Sequence, residues 1–119
     1  MTRNYASRKA AGARAEASVA EYLRATLNDD RIERRAKNGS KDRGDITGVR
    51  TRGGSRVVIE VKDHTKLALA EWVNEAEIER GNDDAAVGVV WHKKRGTTNA
   101  GEWYVTMTGA DFTTLLGGE

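Results

Sequence analysis

The 119-residue sequence contains no cysteine and only two histidines. Without cysteine the chain can form no disulfide scaffold, no zinc site with thiolate ligands and no cysteine nucleophile. Two histidines are too few for a metal cage built from histidine side chains. No apolar stretch approaches the roughly 20 residues that a membrane span needs, and no apolar signal core follows the basic N-terminus. We therefore expect a protein that is neither secreted nor embedded in a membrane.

Charge is distributed unevenly along the chain. The formal net charge is only +2, but residues 1–56 carry 14 basic and 7 acidic side chains, whereas residues 57–119 carry 6 and 11. A basic half suggests a polyanionic partner, nucleic acid first and an anionic membrane surface second. The alternative is a solvated surface whose charge is merely uneven. The length and the periodic apolar runs indicate one folded domain over residues 1–119.

Hydrophobic periodicity predicts the element order α-β-β-β-α-β-β-α, which is an α/β fold with a mixed five-stranded sheet flanked by helices. Helices are expected over residues 7–27, from 64 or 65 to 80, and over 110–116. Strands are expected over residues 31–36, 45–49, 56–62, 85–92 and 102–107. The apolar residues that we expect to face the core from the helices are Ala20, Leu23 and Leu27, then Leu69, Trp72, Val73 and Ala76, then Phe112, Leu115 and Leu116.

Two acids and a lysine, Asp45, Glu60 and Lys62, form the most informative pattern. Glu60 and Lys62 are two residues apart on one predicted strand, so they share a face at a separation of roughly 7 Å. A turn centred between Arg52 and Gly53 places Asp45 directly across from Glu60, with Cβ atoms about 5 Å apart. One hairpin register therefore brings all three side chains to the same face.

The same register makes the opposite face of the hairpin apolar. It pairs Ile46 with Ile59 and Gly48 with Val57, as expected of a face that packs against the core. Two carboxylates held as close as Asp45 and Glu60 repel each other unless a cation lies between them. Oxygen ligands of this kind suit Mg²⁺ or Mn²⁺. The alternative interpretation is an exposed strand face with an ordinary Glu–Lys pair.

The segments Gly44-Asp45-Ile46 and Ile59-Glu60-Val61-Lys62 resemble the PD-(D/E)xK nuclease signature. Within that superfamily the chain most resembles the archaeal-type Holliday junction resolvases and their bacteriophage relatives. Those proteins have a glutamate early in the first helix and a Gly-Ser-Lys loop, matched here by Glu16 and by Gly39-Ser40-Lys41. The resemblance implies a restriction-endonuclease-like core. Gly44 departs from the pattern, because many relatives have proline there.

The resemblance also implies a division of roles within the site. Glu16, Asp45, Glu60 and the main-chain carbonyl of Val61 would bind Mg²⁺, with Mn²⁺ as a substitute, while Lys62 is catalytic and Ser40 lies near the scissile phosphate. Helical spacing independently puts Glu16 on the inward face of the first helix, where an acid is costly unless it is paired or bound to metal. Asp42 is the weaker ligand candidate because it lies outside the predicted strand.

The substrate implied by the resemblance is a four-way DNA junction, cut in two opposed strands by a homodimer. The implied setting is the cytoplasm of a bacterial host, with a phage or prophage gene as the source. A chain of 13.0 kDa has little room for a separate sequence-reading domain, which argues against a restriction enzyme. Two other functions stay open: a related nuclease acting on nicked, flapped or linear DNA, and a non-catalytic nucleic-acid-binding module.

Basic side chains cluster in several predicted loops and helix ends, where they would contact phosphates without reading the base sequence. Any one of them taken alone is explained by an ordinary surface charge. The residues that we expect to bind DNA are Arg8, Lys9, Arg14, Arg34, Arg35, Lys37, Lys41, Arg43, Lys93, Lys94 and Arg95.

Overall fold

The computed structural model describes residues 4–36 and 41–117. Its helices and strands follow the predicted order. The elements are α1 (Tyr5–Leu27), β1 (Glu33–Arg34), β2 (Ile46–Thr47), β3 (Val57–Lys62), α2 (Leu69–Asn82), β4 (Val87–His92), β5 (Tyr104–Thr106) and α3 (Gly109–Gly117), with a short 3₁₀ turn at Ala100–Glu102. No helix within the described ranges is long and apolar enough to span a membrane.

The five strands form one mixed sheet in the order β1-β2-β3-β4-β5. The pairs β1–β2, β2–β3 and β4–β5 are antiparallel, and β3 and β4 are parallel because α2 carries the chain back between them. This arrangement confirms the predicted α/β class with a mixed five-stranded sheet flanked by helices.

Two helices cover the two faces of the sheet. α1 packs its buried face, which includes Val19 and Leu23, against Ile46, Ile59 and Val61. On the other face Trp72 and Ala76 of α2 pack against Val90 of β4. The strands β3 and β4 are thus covered on both sides, which explains why their sequences are almost continuously apolar.

The hairpin register is confirmed at one end and wrong at the other. Ile46 pairs with Ile59 as predicted, but Gly48 does not pair with Val57. Val57 instead donates its N–H to the carbonyl of Val49, so the pairing shifts by one residue towards the turn. Gly48 has φ +89, and a Cβ there would lie 2.5 Å from the carbonyl oxygen of Arg31. The close approach of the Arg31 backbone requires this glycine, and the chain bulges at it.

Several predicted core positions were wrong. Leu27 is 55% exposed and is the last residue of α1. Phe112, Leu115 and Leu116 were expected in the core but are exposed, and α3 instead buries Asp111, whose carboxylate accepts the N–H of Gly88. The second helix begins at Leu69, not at residue 64 or 65, because residues 63–68 form a loop that leads from β3 to α2.

Candidate functional site

Asp45, Glu60 and Lys62 lie together on the face of the sheet that α2 covers. Asp45 and Glu60 are both buried. One carboxylate oxygen of Asp45 accepts the backbone N–H of Val61 at 2.8 Å, which fixes Asp45 against β3. The Nζ atom of Lys62 is 3.9 Å from Oε1 of Glu60. The structure therefore brings these three residues together, as the hairpin geometry predicted.

Two further acids extend this group. Asp42 precedes β2 and Glu79 lies in the last turn of α2, and each places a carboxylate oxygen within 4.8 Å of the others and of Glu60. Asp42, Glu60 and Glu79 therefore lie close enough to hold one metal ion. All three offer the hard oxygen donors that Mg²⁺ and Mn²⁺ prefer, so the donor chemistry fits the predicted cation.

Hydrogen bonds hold the loop of Asp42 against the end of α2. The side-chain amide of Asn82 donates to the carbonyl of Asp42 at 2.7 Å. Oδ1 of Asp42 also accepts the N–H of Gly44 at 2.9 Å, which is a local turn typical of aspartate. These contacts place Asp42 beside Glu79 although the two are far apart in sequence.

The electrostatics of the group disfavour its full ionisation. Burial raises the pKa of Glu60 to about 9; the neighbouring carboxyl of Glu79 acts in the same direction, while Asp45 and Lys62 act in the opposite one. Burial also raises the pKa of Glu79 to about 7, with Asp42 and Asp45 adding to the effect and Glu60 opposing it. Without a cation, this group holds protons near neutral pH.

Lys62 is held between β3 and α2. Its Nζ lies 3.0 Å from Oε1 of Glu75 on α2. Burial disfavours the charged ammonium, but Glu75, Glu60 and Asp45 outweigh burial and raise the pKa of Lys62. Lys62 also lines a groove of about 570 Å³ together with His64, Lys66 and Trp72. The lysine is thus charged and reached from solvent through this groove.

Glu16 lies on the face of the sheet that α1 covers, opposite the acidic group. Its Oε1 accepts two hydrogen bonds from the guanidinium of Arg34, at 3.1 and 3.2 Å. Arg34 pairs with Ile46 across the sheet, so its side chain points to the α1 face. Glu60 points to the opposite face, because Ile59 beside it packs under α1. The structure therefore does not bring Glu16 into the group formed by Asp42, Glu60 and Glu79, and its metal role stays a prediction.

The backbone at position 44 requires glycine, where the nuclease signature that the sequence resembles often has proline. Gly44 has φ +95, and a Cβ there would lie 2.9 Å from Cγ1 of Val58. Proline fixes φ near −65° and cannot adopt this conformation. The turn that delivers Asp45 to the sheet thus depends on glycine.

Ser40 and Gly39 of the matched loop lie outside the described residues. Val61 holds Asp45 through its N–H, and the role of its carbonyl stays a prediction.

The predicted DNA-binding residues divide into exposed and engaged side chains. Arg35 pairs with the buried Asp83 at 3.4 Å, and Arg95 pairs with Asp63 at 2.9 Å. Lys93 lies over the Trp103 ring, 5.8 Å from its centroid. Lys37 lies outside the described residues. Two exposed members also form ion pairs, Arg34 with Glu16 and Arg95 with Asp63. The exposed members are Arg8, Lys9, Arg14, Arg34, Lys41, Arg43, Lys94 and Arg95.

Glu79 is the site residue that the sequence analysis missed, although a signal for it existed. It lies seven residues after Trp72 and three after Ala76, so helical spacing puts it on the same apolar stripe. An acid on the core-facing stripe of a helix is unusual. That conflict between pattern and residue type indicates a functional role for position 79.

Comparison with protein-family models, curated proteins and solved structures finds no match for this chain. The nuclease interpretation therefore depends on the residues themselves: the Gly44-Asp45 and Glu60-Val61-Lys62 segments and their arrangement in space.

Proposed function

We propose that this protein is a divalent-cation-dependent endonuclease that hydrolyses phosphodiester bonds of branched DNA, with four-way junctions as the favoured substrate. The observation that carries the proposal is the convergence of Asp45, Glu60 and Lys62 on one face of the sheet, with Lys62 Nζ 3.9 Å from Glu60. Acids that bind a cation next to a lysine are the groups that phosphodiester hydrolysis needs.

The chain's own residues have distinct tasks in this proposal. Asp45 and Glu60 supply carboxylate ligands, and the N–H of Val61 fixes the orientation of Asp45. Lys62 offers a positive charge to the phosphate through the groove that it lines, which stabilises the additional negative charge of the transition state. When bound, a Mg²⁺ ion supplies an activated water and further charge stabilisation.

Selectivity for branched DNA is supported by where the basic residues lie. Lys41 and Arg43 are exposed on the segment that leads to Asp45, and the exposed basic residues of α1 offer further phosphate contacts. Contacts of this kind recognise backbone position and shape. The proposal includes a homodimer, because cutting two opposed strands of one junction requires two sites.

A cleavage assay with Mg²⁺ tests the proposal. Its substrates are an end-labelled four-way junction and a linear duplex of the same sequence. We expect the wild-type protein to introduce paired cuts in the junction, and the Asp45→Asn and Glu60→Gln variants to bind the junction without cutting it. EDTA should abolish cleavage. Glu21→Gln is the matched control, because Glu21 is an exposed acid of α1 that belongs neither to the acidic group nor to the groove that Lys62 lines.

The other outcomes separate the alternatives. Cleavage of both substrates would retain the nuclease and remove the preference for junctions. Junction binding without any cleavage would indicate a nucleic-acid-binding module. Cleavage by Asp45→Asn at the wild-type rate would contradict the site assignment. A monomer in sedimentation experiments with and without junction DNA would exclude paired cutting by a dimer.

A further inference from the structure

Glu79 is a buried acid for which the fold alone gives no reason. It is 2% exposed, and neither of its carboxylate oxygens has a hydrogen-bond partner among the residues that the structure describes. Oε2 of Glu60, which belongs to the same group, also has none there. A buried carboxylate without hydrogen bonds or a counter-charge is strongly destabilising.

The position of Glu79 on α2 adds to that destabilisation. It lies in the last turn of a helix that ends at Asn82, where the partial charge of the helix dipole is negative and disfavours an anion. It also occupies the apolar stripe of Trp72 and Ala76, where an apolar side chain would pack better. Positions at which a local rule is broken without compensation in the fold are typically functional.

The surroundings of Glu79 point to a cation as the missing partner. Carboxylate oxygens of Asp42, Glu60 and Glu79 lie within 4.8 Å of one another, a spacing at which one ion can contact all three. The Asn82 amide ties the Asp42 loop to the end of α2 at 2.7 Å, so Asp42 is held beside Glu79 before any ion binds. Asp42 is exposed, which gives the group an opening to solvent.

We infer that Asp42 and Glu79 join Glu60 as ligands of a divalent cation beside Asp45 of the proposed active site, with Glu79, donated by α2, in the place that the family resemblance gives to Glu16. Glu16 is engaged with Arg34 on the opposite face of the sheet. The inference deepens the proposed function by identifying its metal ligands, but cation binding is measured without DNA, so each can fail while the other holds.

Calorimetric titration of the DNA-free protein with MnCl₂ tests the site directly. We expect Glu79→Gln and Asp42→Asn to weaken Mn²⁺ binding by about tenfold or more, the effect of losing a ligand, and Glu16→Gln and Glu71→Gln to stay within about twofold of wild type. Thermal unfolding in EDTA supplies a second measurement. Glu79→Gln should melt no lower than the wild type there, because the substitution removes a buried charge, and should lose the rise in melting temperature that Mn²⁺ gives the wild type.

Two alternative results would overturn the inference. Wild-type Mn²⁺ affinity in both Glu79→Gln and Asp42→Asn would show that neither acid is a ligand. Weakened Mn²⁺ binding in Glu16→Gln, with unchanged Mn²⁺ binding in Glu79→Gln, would show that Glu16 and not Glu79 is the ligand. If Glu79→Gln does not fold, the exposed Asp42→Asn variant decides alone. Mn²⁺ binding that depends on Asp42 and Glu79, in a protein that cuts neither junction nor duplex, would uphold the cation site and overturn the proposed nuclease.

Discussion

The ammonium of Lys62 lies 3.0 Å from Glu75 of α2, closer than the 3.9 Å that separates it from Glu60 on its own strand. The lysine of the proposed active site is therefore anchored by a helix that the signature segments do not include. Glu75 is 43% exposed in its side chain, so this pair contributes modestly to stability and chiefly sets the position and charge of Lys62.

Replacing Glu75 by Gln should lower the pKa of Lys62, because a negative charge that favours the ammonium is removed. The free energy of unfolding should change by no more than about 1 kcal/mol. NMR titration of the lysine side-chain signals measures the pKa, with Glu71→Gln as the control on the same helix. An unchanged Lys62 pKa would mean that Glu75 does not govern its charge.

Removing divalent cations should make stability depend on pH in a defined direction. The pKa of Glu60 rises from 4.5 to about 9 on folding, so the folded chain keeps a proton that the unfolded chain releases above pH 4.5. Stability in EDTA should therefore fall between about pH 4.5 and 9, by a few kcal/mol in order of magnitude. Urea unfolding at several pH values measures the fall.

Two controls accompany the pH experiment. Glu60→Gln should flatten the profile, because the group that takes up the proton is gone. Saturating Mn²⁺ should reduce the fall with pH, since the ion competes with protons for the same carboxylates. A stability that rises steadily across this range in EDTA would contradict the raised pKa of Glu60.

The turn before Asp45 should not tolerate a side chain. Gly44→Ala adds a Cβ 2.9 Å from Val58 Cγ1 at a backbone φ of +95, and we expect a loss of about 1–3 kcal/mol. Gly12 of α1 is the matched control, because a Cβ there meets nothing within 4 Å. Gly12→Ala should stabilise the helix by about 0.5–1 kcal/mol. Equal effects of the two substitutions in chemical unfolding would contradict the strained turn.

Basic residues predicted to bind DNA should separate into two classes. Arg35→Ala removes the partner of the buried Asp83 and should lower the free energy of unfolding by about 1–3 kcal/mol. Lys41→Ala, at an exposed position, should leave stability within about 0.5 kcal/mol but weaken junction binding and reduce its salt dependence. Fluorescence anisotropy at several salt concentrations, beside urea unfolding, distinguishes the two. Equal stability of both variants would contradict a structural role for Arg35.

Local patterns predicted the element order, the mixed sheet and the pairing of Ile46 with Ile59, because each depends on short-range periodicity and on one turn. They did not predict the exposure of Phe112 and Leu116, since helical spacing gives the direction of a face but not what covers it. Nor did they predict the one-residue shift at Gly48, which follows from the approach of the Arg31 backbone.

The site was predictable to the same extent. Asp45, Glu60 and Lys62 come from one hairpin, so their arrangement follows from strand geometry. Glu79 comes from a helix that joins them only in the folded state, and its place depends on how α2 docks over β3. Glu16 was expected to face inward, and its side chain is only 14% exposed. Its partner, Arg34, comes from β1, and only the tertiary structure pairs the two residues.

The order of strands in the sheet is the same as their order in the chain, and this has a kinetic consequence. None of the strands in the described residues has to insert between two that are already paired. The sheet can therefore grow outward from β3, which pairs with β2 through a short turn and with β4 through α2. Such sequence-local assembly favours rapid folding. We expect truncation of the fully buried Val58 on β3 to slow folding, whereas truncation at the β5 edge should mainly speed unfolding.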